Sequence, residues 1–150
     1  MVRKTPKHCD TSTMPGTTGG WPSGPRTRTS CADWPGGEYS FVWHAIARNA
    51  AAPADLLVPL AARRHSSWID NCLLRLVAAH PALTGAELDG LVPLLAARLE
   101  EGERPYAAVL ELARRPEPAA GPLRRLGHLP GASARLRRGI ARALAARPGL

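Results

Sequence analysis

The residues of this sequence best suited to chemistry are five histidines and three cysteines: His8, His44, His65, His80 and His128, with Cys9, Cys31 and Cys72. A zinc site takes its ligands at short, paired spacings, because one turn of chain must bring two of them to the same ion. No H-E-x-x-H and no C-x-x-C occurs here. His8 and Cys9 are adjacent, a spacing that does not close a site. Three thiolates fall short of the set that holds an iron–sulfur cluster. Nucleophile and phosphate motifs are missing as well: there is no G-x-S-x-G, Walker A or G-x-G-x-x-G. Cys72 stands beside Leu73 and Leu74 in an apolar helical stretch and reads as a buried, unreactive thiol. The three Glu of "LEEGER", Leu99 to Arg104, surround Gly102 and read as a solvated connector. The expectation is therefore a non-enzyme, with no catalytic residue, no cofactor and no metal.

Arginine supplies the one distinctive surface chemistry. The formal net charge is +8, yet residues 1–40 carry five Lys/Arg against three acids, 41–97 four against four, and 98–120 four against five. Residues 121–150 carry seven Arg and no acid. Any electrostatic partner should meet that end. Ser133 can cap a helix over 133–147 in which Leu136, Ile140, Ala143 and Leu144 share one side. Arg135, Arg137, Arg138 and Arg142 fall on the other and form the candidate interaction surface. Such a face can grip phosphates of nucleic acid or anionic lipid, or can simply be the polar outer face that a terminal repeat requires.

The elements that position these residues are read from period and punctuation. Residues 1–37, rich in Pro, Gly, Ser and Thr with isolated apolar residues, are expected to be a disordered tail, in which Trp21 and Trp34 are incidental or dock on a partner or on the folded part. From Glu38 onwards apolar residues recur at helical spacing. Four helices end on one pattern: Ile46-Ala47-Arg48-Asn49-Ala50, Val77-Ala78-Ala79-His80-Pro81, Leu112-Ala113-Arg114-Arg115-Pro116 and Leu144-Ala145-Ala146-Arg147-Pro148. Their starts lie 31, 35 and 32 residues apart, the period of a solenoid. Asn49, His80, Pro81, Arg115, Pro116, Arg147 and Pro148 are thus repeat-corner positions. Asn49 and His80 are expected to bond free carbonyls at a helix end, and Arg147, late in its helix, suits the dipole there. Between the corners lie second apolar stretches, "PADLLVPLAA", "TGAELDGLVPLLAARL" and "PLRRLGHL". Thr84 and Glu87 match a capping box. The repeated phrase "LVPL" places Pro59 and Pro93 inside two of these stretches, and each proline is expected to kink or break its helix.

The run "ARNAAAPADLLVPLAA", followed by "VAAHPALTGAELDGLVPLLAA", resembles the leucine-rich-repeat-variant family. Ala47, Arg48, Asn49, Pro53, Leu56, Leu57, Leu60 and Ala61 match its scheme, as do Ala78, His80, Pro81, Leu88, Leu91, Leu94 and Ala96. The match is best over residues 41–100. The repeats here are longer than that family's, Asn49 is followed by Ala50 rather than Pro, and a HEAT-like or armadillo-like repeat is the alternative. The resemblance implies a small all-helical solenoid.

The expectation is an all-α protein. Residues 38–150 would form a short right-handed α-solenoid of helical-hairpin repeats, about three and a half of them, behind the disordered N-terminal tail. Its function would be that of a cytoplasmic scaffold presenting a surface to a protein partner. The alternative is a nucleic-acid-binding module led by 121–150. The cysteine usage fits a reducing compartment, and neither a secretory signal nor a membrane-spanning run is seen. The last corner is not followed by a second helix, which raises the expectation of a fragment unless the basic helix covers the open end.

Overall fold

The computed structural model describes residues 39–148. The expected tail, with His8, Cys9, Trp21, Cys31 and Trp34, lies outside the described residues. These residues form seven α-helices and, among them, no strand: α1 (Ser40–Arg48), α2 (Ala54–Ala61), α3 (Ser67–Ala79), α4 (Gly85–Glu100), α5 (Tyr106–Arg114), α6 (Ala120–Leu126) and α7 (Ala134–Ala145). The fold is all-α. None of the helices is long and apolar enough to cross a membrane.

Helices two apart in the chain pack on one another. α3 lies between α1 and α5, and α5 between α3 and α7; α4 lies between α2 and α6. The odd-numbered row is the more tightly packed of the two. Its inward positions explain why: Ala47, Ala78, Ala108 and Ala113 are buried at the contacts, and small side chains let helix axes approach. Leu73, Leu74, Val77, Val109, Leu112, Leu136, Ile140 and Leu144 fill the space around them. Gly139 of α7 faces Leu110 of α5 so closely that a Cβ would come within 2.8 Å of the Leu110 Cδ2. Leu57, Leu60, Leu88, Leu91, Leu95, Leu123 and Leu126 bring the even-numbered row onto the same core.

Local signals set several boundaries. The Glu87 carboxylate accepts from the Thr84 backbone N–H at 3.1 Å and from its hydroxyl at 2.6 Å, at the start of α4. Ser133 caps α7 by accepting from the Leu136 N–H at 3.1 Å. α4 ends on Gly102, whose φ of +83° is open to glycine at little cost. The Gly102 N–H then bonds the Leu99 carbonyl at 3.0 Å and the Glu103 N–H the Arg98 carbonyl at 2.9 Å, the Schellman arrangement.

Two expectations are corrected. Pro59 lies inside α2 and Pro93 inside α4, so the helix break offered for each proline is absent. A proline removes only one backbone bond, and a helix whose other face is buried in a core survives that loss. Cys72, read as buried, is only partly so.

Candidate functional site

The corner positions form a ladder. Asn49, His80 and Arg115 each follow the last residue of α1, α3 and α5 with nearly the same backbone: φ/ψ of −77°/106°, −70°/132° and −70°/136°. In each, the corner N–H bonds a carbonyl three residues back. The side chain reaches back one corner. The Nε2 of His80 donates to the Asn49 carbonyl at 2.9 Å, while its Nδ1 accepts from the Ala82 N–H at 3.1 Å, which fixes the proton on Nε2. Arg115 donates to the His80 carbonyl at 3.1 Å and the Leu83 carbonyl at 2.8 Å. Arg147 donates to the carbonyls of Leu112 at 3.2 Å, Ala113 at 2.9 Å and Pro118 at 2.6 Å. Asn49, at the first corner, folds onto its own turn instead, its Oδ1 accepting from the Ala51 N–H at 3.1 Å. His80 and Arg147 are buried; Pro81, Pro116 and Pro148 are exposed. Burial pushes the pKa of Arg147 below its ordinary value.

A second assembly was not legible from motifs. Arg98, at 2% exposure, and Asp70, at 3%, form a buried ion pair between α4 and α3. The Arg98 guanidinium meets the Asp70 Oδ2 at 3.4 Å, the two Glu103 oxygens at 3.2 and 3.1 Å, and the Arg63 carbonyl at 2.9 Å. Asp70 in turn accepts from the His65 N–H at 2.9 Å. On the surface above, Arg64 bonds Glu101 and Glu103. The Arg64 bond holds the Glu101 carboxyl below its ordinary pKa. "LEEGER" is therefore a connector tied down by two arginines rather than a free loop. The available signal was Gly102, whose turn returns Glu103 to Arg98. Every carboxylate of the cluster is matched to a guanidinium or N–H, an arrangement that holds chain segments together and leaves no unpaired acid or base to move a proton.

The arginine face of α7 is exposed at Arg135, Arg137, Arg138 and Arg142. Arg135, Arg138 and Arg142 follow three- and four-residue spacing and so form one stripe. Arg137 lies off it, its Nε donating to the Gly127 carbonyl at 3.2 Å. Among the described residues, no carboxylate lies within ion-pair distance of these four. The opposite end of the fold is different: Phe41 and Val42 of α1, with Tyr39 before it and Trp68 at the start of α3, are exposed apolar residues. Among the described residues, no group of three or more His, Cys, Asp or Glu side chains is placed to hold a metal ion. A comparison with protein-family models, with curated proteins and with solved structures finds no match.

Proposed function

We propose that this chain is a non-enzymatic helical-repeat scaffold of the leucine-rich-repeat-variant kind, a short right-handed solenoid of hairpins that presents its surface to a protein partner. The observation that carries the reading is the corner ladder. Three successive corners, about one repeat apart, each direct a side chain to the carbonyls of the corner before, which is how like units gain interfaces with their neighbours. Several polar side chains, His80 among the histidines, are thereby occupied in holding the fold together. The ladder takes up His80, Arg115 and Arg147, and the ion cluster takes up Asp70, Arg98 and Glu103. The test is capture from cell extract by the immobilised full chain, followed by reconstitution with the purified candidate. A partner retained stoichiometrically after nuclease treatment is expected. Nothing but nuclease-sensitive material on the column would overturn the reading.

A second reading is favoured by the unpaired stripe of Arg135, Arg138 and Arg142. It is a nucleic-acid-binding module whose arginines neutralise backbone phosphates. The apolar side of α7 is buried in the core at Leu136, Ile140 and Leu144, so the helix cannot lie in a lipid interface as an amphipathic helix does. Duplex DNA should bind with steep salt dependence, and replacing Arg135, Arg137, Arg138 and Arg142 with Ala should abolish it. No binding at low salt would exclude this reading.

A further inference from the structure

The looser packing of the even-numbered row leaves an open groove of about 440 Å³ between α4 and α6, within the size range of ligand pockets. Its walls are apolar: Val92, Pro93 and Ala96 from α4, Pro122 and Leu126 from α6, and Leu129 beyond it. Its polar groups are Asp89 and Arg125. Asp89, on α4, faces the start of α6, where its Oδ1 takes the Ala119 N–H in a long 3.4 Å contact. Arg125 lies near the end of α6, exposed, with no carboxylate among the described residues at ion-pair distance.

Pro93 gives the Asp89 end a second acceptor. An α-helical carbonyl bonds the N–H four residues on, and Pro93 has none, so the Asp89 carbonyl lacks its helical partner. The same residues recur one repeat earlier. Asp55-Leu56-Leu57-Val58-Pro59-Leu60 and Asp89-Gly90-Leu91-Val92-Pro93-Leu94 share Asp, Leu, Val, Pro and Leu at five of six positions. Asp55, Pro59, Asp89 and Pro93 are all exposed, and a spacing of four puts each Asp and its Pro on one helix face. Since neither proline breaks its helix, what the phrase repeats is an acceptor pair, one carboxylate and one carbonyl without its donor four residues on, on two successive helices of the same row.

We infer that the α4–α6 groove seats a segment of a partner polypeptide: a bulky apolar side chain between the helices, a basic residue over Asp89, and an acidic residue over Arg125. Opposite charges at the two ends give the segment a direction, and the apolar walls give it an anchor. The inference rests on the scaffold reading and names the chemistry of the partner.

The test pans the full chain against a displayed library of short random peptides, then measures the recovered peptides by fluorescence anisotropy against Asp89→Lys, Arg125→Glu and Ala96→Glu. All three positions border solvent, and circular dichroism melts verify that the variants fold. Recovered peptides should share an apolar residue flanked by a basic residue on one side and an acidic residue on the other. Each variant should weaken them by about tenfold or more. Panning the Asp89→Lys/Arg125→Glu double variant should recover peptides with the charge order reversed. Peptides that bind with affinities unmoved by the three variants would overturn the groove and leave the scaffold reading standing. Recovery of no peptide above the Ala96→Glu control would overturn the groove and count against the scaffold reading itself. Uniformly acidic peptides that duplex DNA displaces would move the site to the arginine face of α7.

Discussion

Arg98 and Arg147 are both buried, and the molecule treats them differently. Arg98, near the end of α4, meets two carboxylates and one carbonyl. Arg147, at the last corner, is held by three backbone carbonyls, and Glu117 acts on it only at a distance. In the first case a buried charge is cancelled by opposite charge, at the cost of desolvating every member. In the second, backbone dipoles at the end of α5 and in the chain after it carry the cation, as they do for cations at helix C-termini generally. This fold uses guanidinium as a staple in both settings. Arg98 ties the α2–α3 and α4–α5 connections together, and Arg147 ties the last corner to the one before.

The largest expected effect breaks the first staple. Arg98→Ala leaves Asp70 buried without its cation and should cost about 3–5 kcal/mol in chemical denaturation. Replacing the pair together, Arg98→Met with Asp70→Leu, should cost clearly less than the two single changes summed, because no lone charge is then left inside. Additive costs would show that the two do not interact. Next, Arg147→Ala strands three carbonyls but no charge, and about 1–3 kcal/mol is expected. A loss as large as that of Arg98→Ala would erase the distinction between the two staples. Gly102→Ala forces an L-residue into the left-handed region and should cost about 1–2 kcal/mol. It should also shrink the Arg98–Glu103 coupling in a double-mutant cycle, since that turn delivers Glu103.

The smallest effect is on pH. The Arg64 bond lowers the pKa of Glu101, and the Arg115 bond lowers that of Glu117. A depressed carboxyl stabilises the fold above its unfolded pKa, about 4.3. That contribution disappears as pH falls through the lowered value. Melting temperature should drop on the acid side of about pH 4. Arg64→Gln and Arg115→Gln should each flatten that drop, and unchanged acid limbs would show that these surface pairs do not contribute.

The helices were legible because each signal was local. Leu73, Val77 and Leu136, Ile140, Leu144 recur at the helical period, Ser133 and the Thr84–Glu87 pair mark starts, and a shared Ala-x-polar ending marks the turns at Asn49, His80 and Arg115. What local signals missed was whatever depends on segments far apart in sequence. The period around Pro93 predicts damage to α4, yet core contacts on the opposite face keep the helix intact. Glu103 reads as solvated because its partner Arg98 is a buried residue in a stretch that looks like any helix end. Asp89 opens a repeated phrase but Arg125 carries no motif, and only the spacing of α4 from α6 places the two along one groove.

The sequence by itself determined that this chain is helical, where its helices turn, and that positive charge gathers at its end, since those properties follow from residue type, period and capping. Tertiary structure decided which arginines are surface and which are staples. Arg142 and Arg147 stand five residues apart in the same basic stretch, and one faces solvent while the other lies against the carbonyls of the preceding corner. Charge is a property of the residue. The partner that compensates it is a property of the fold, because it comes from about thirty residues away in the sequence, as Ala113 does for Arg147.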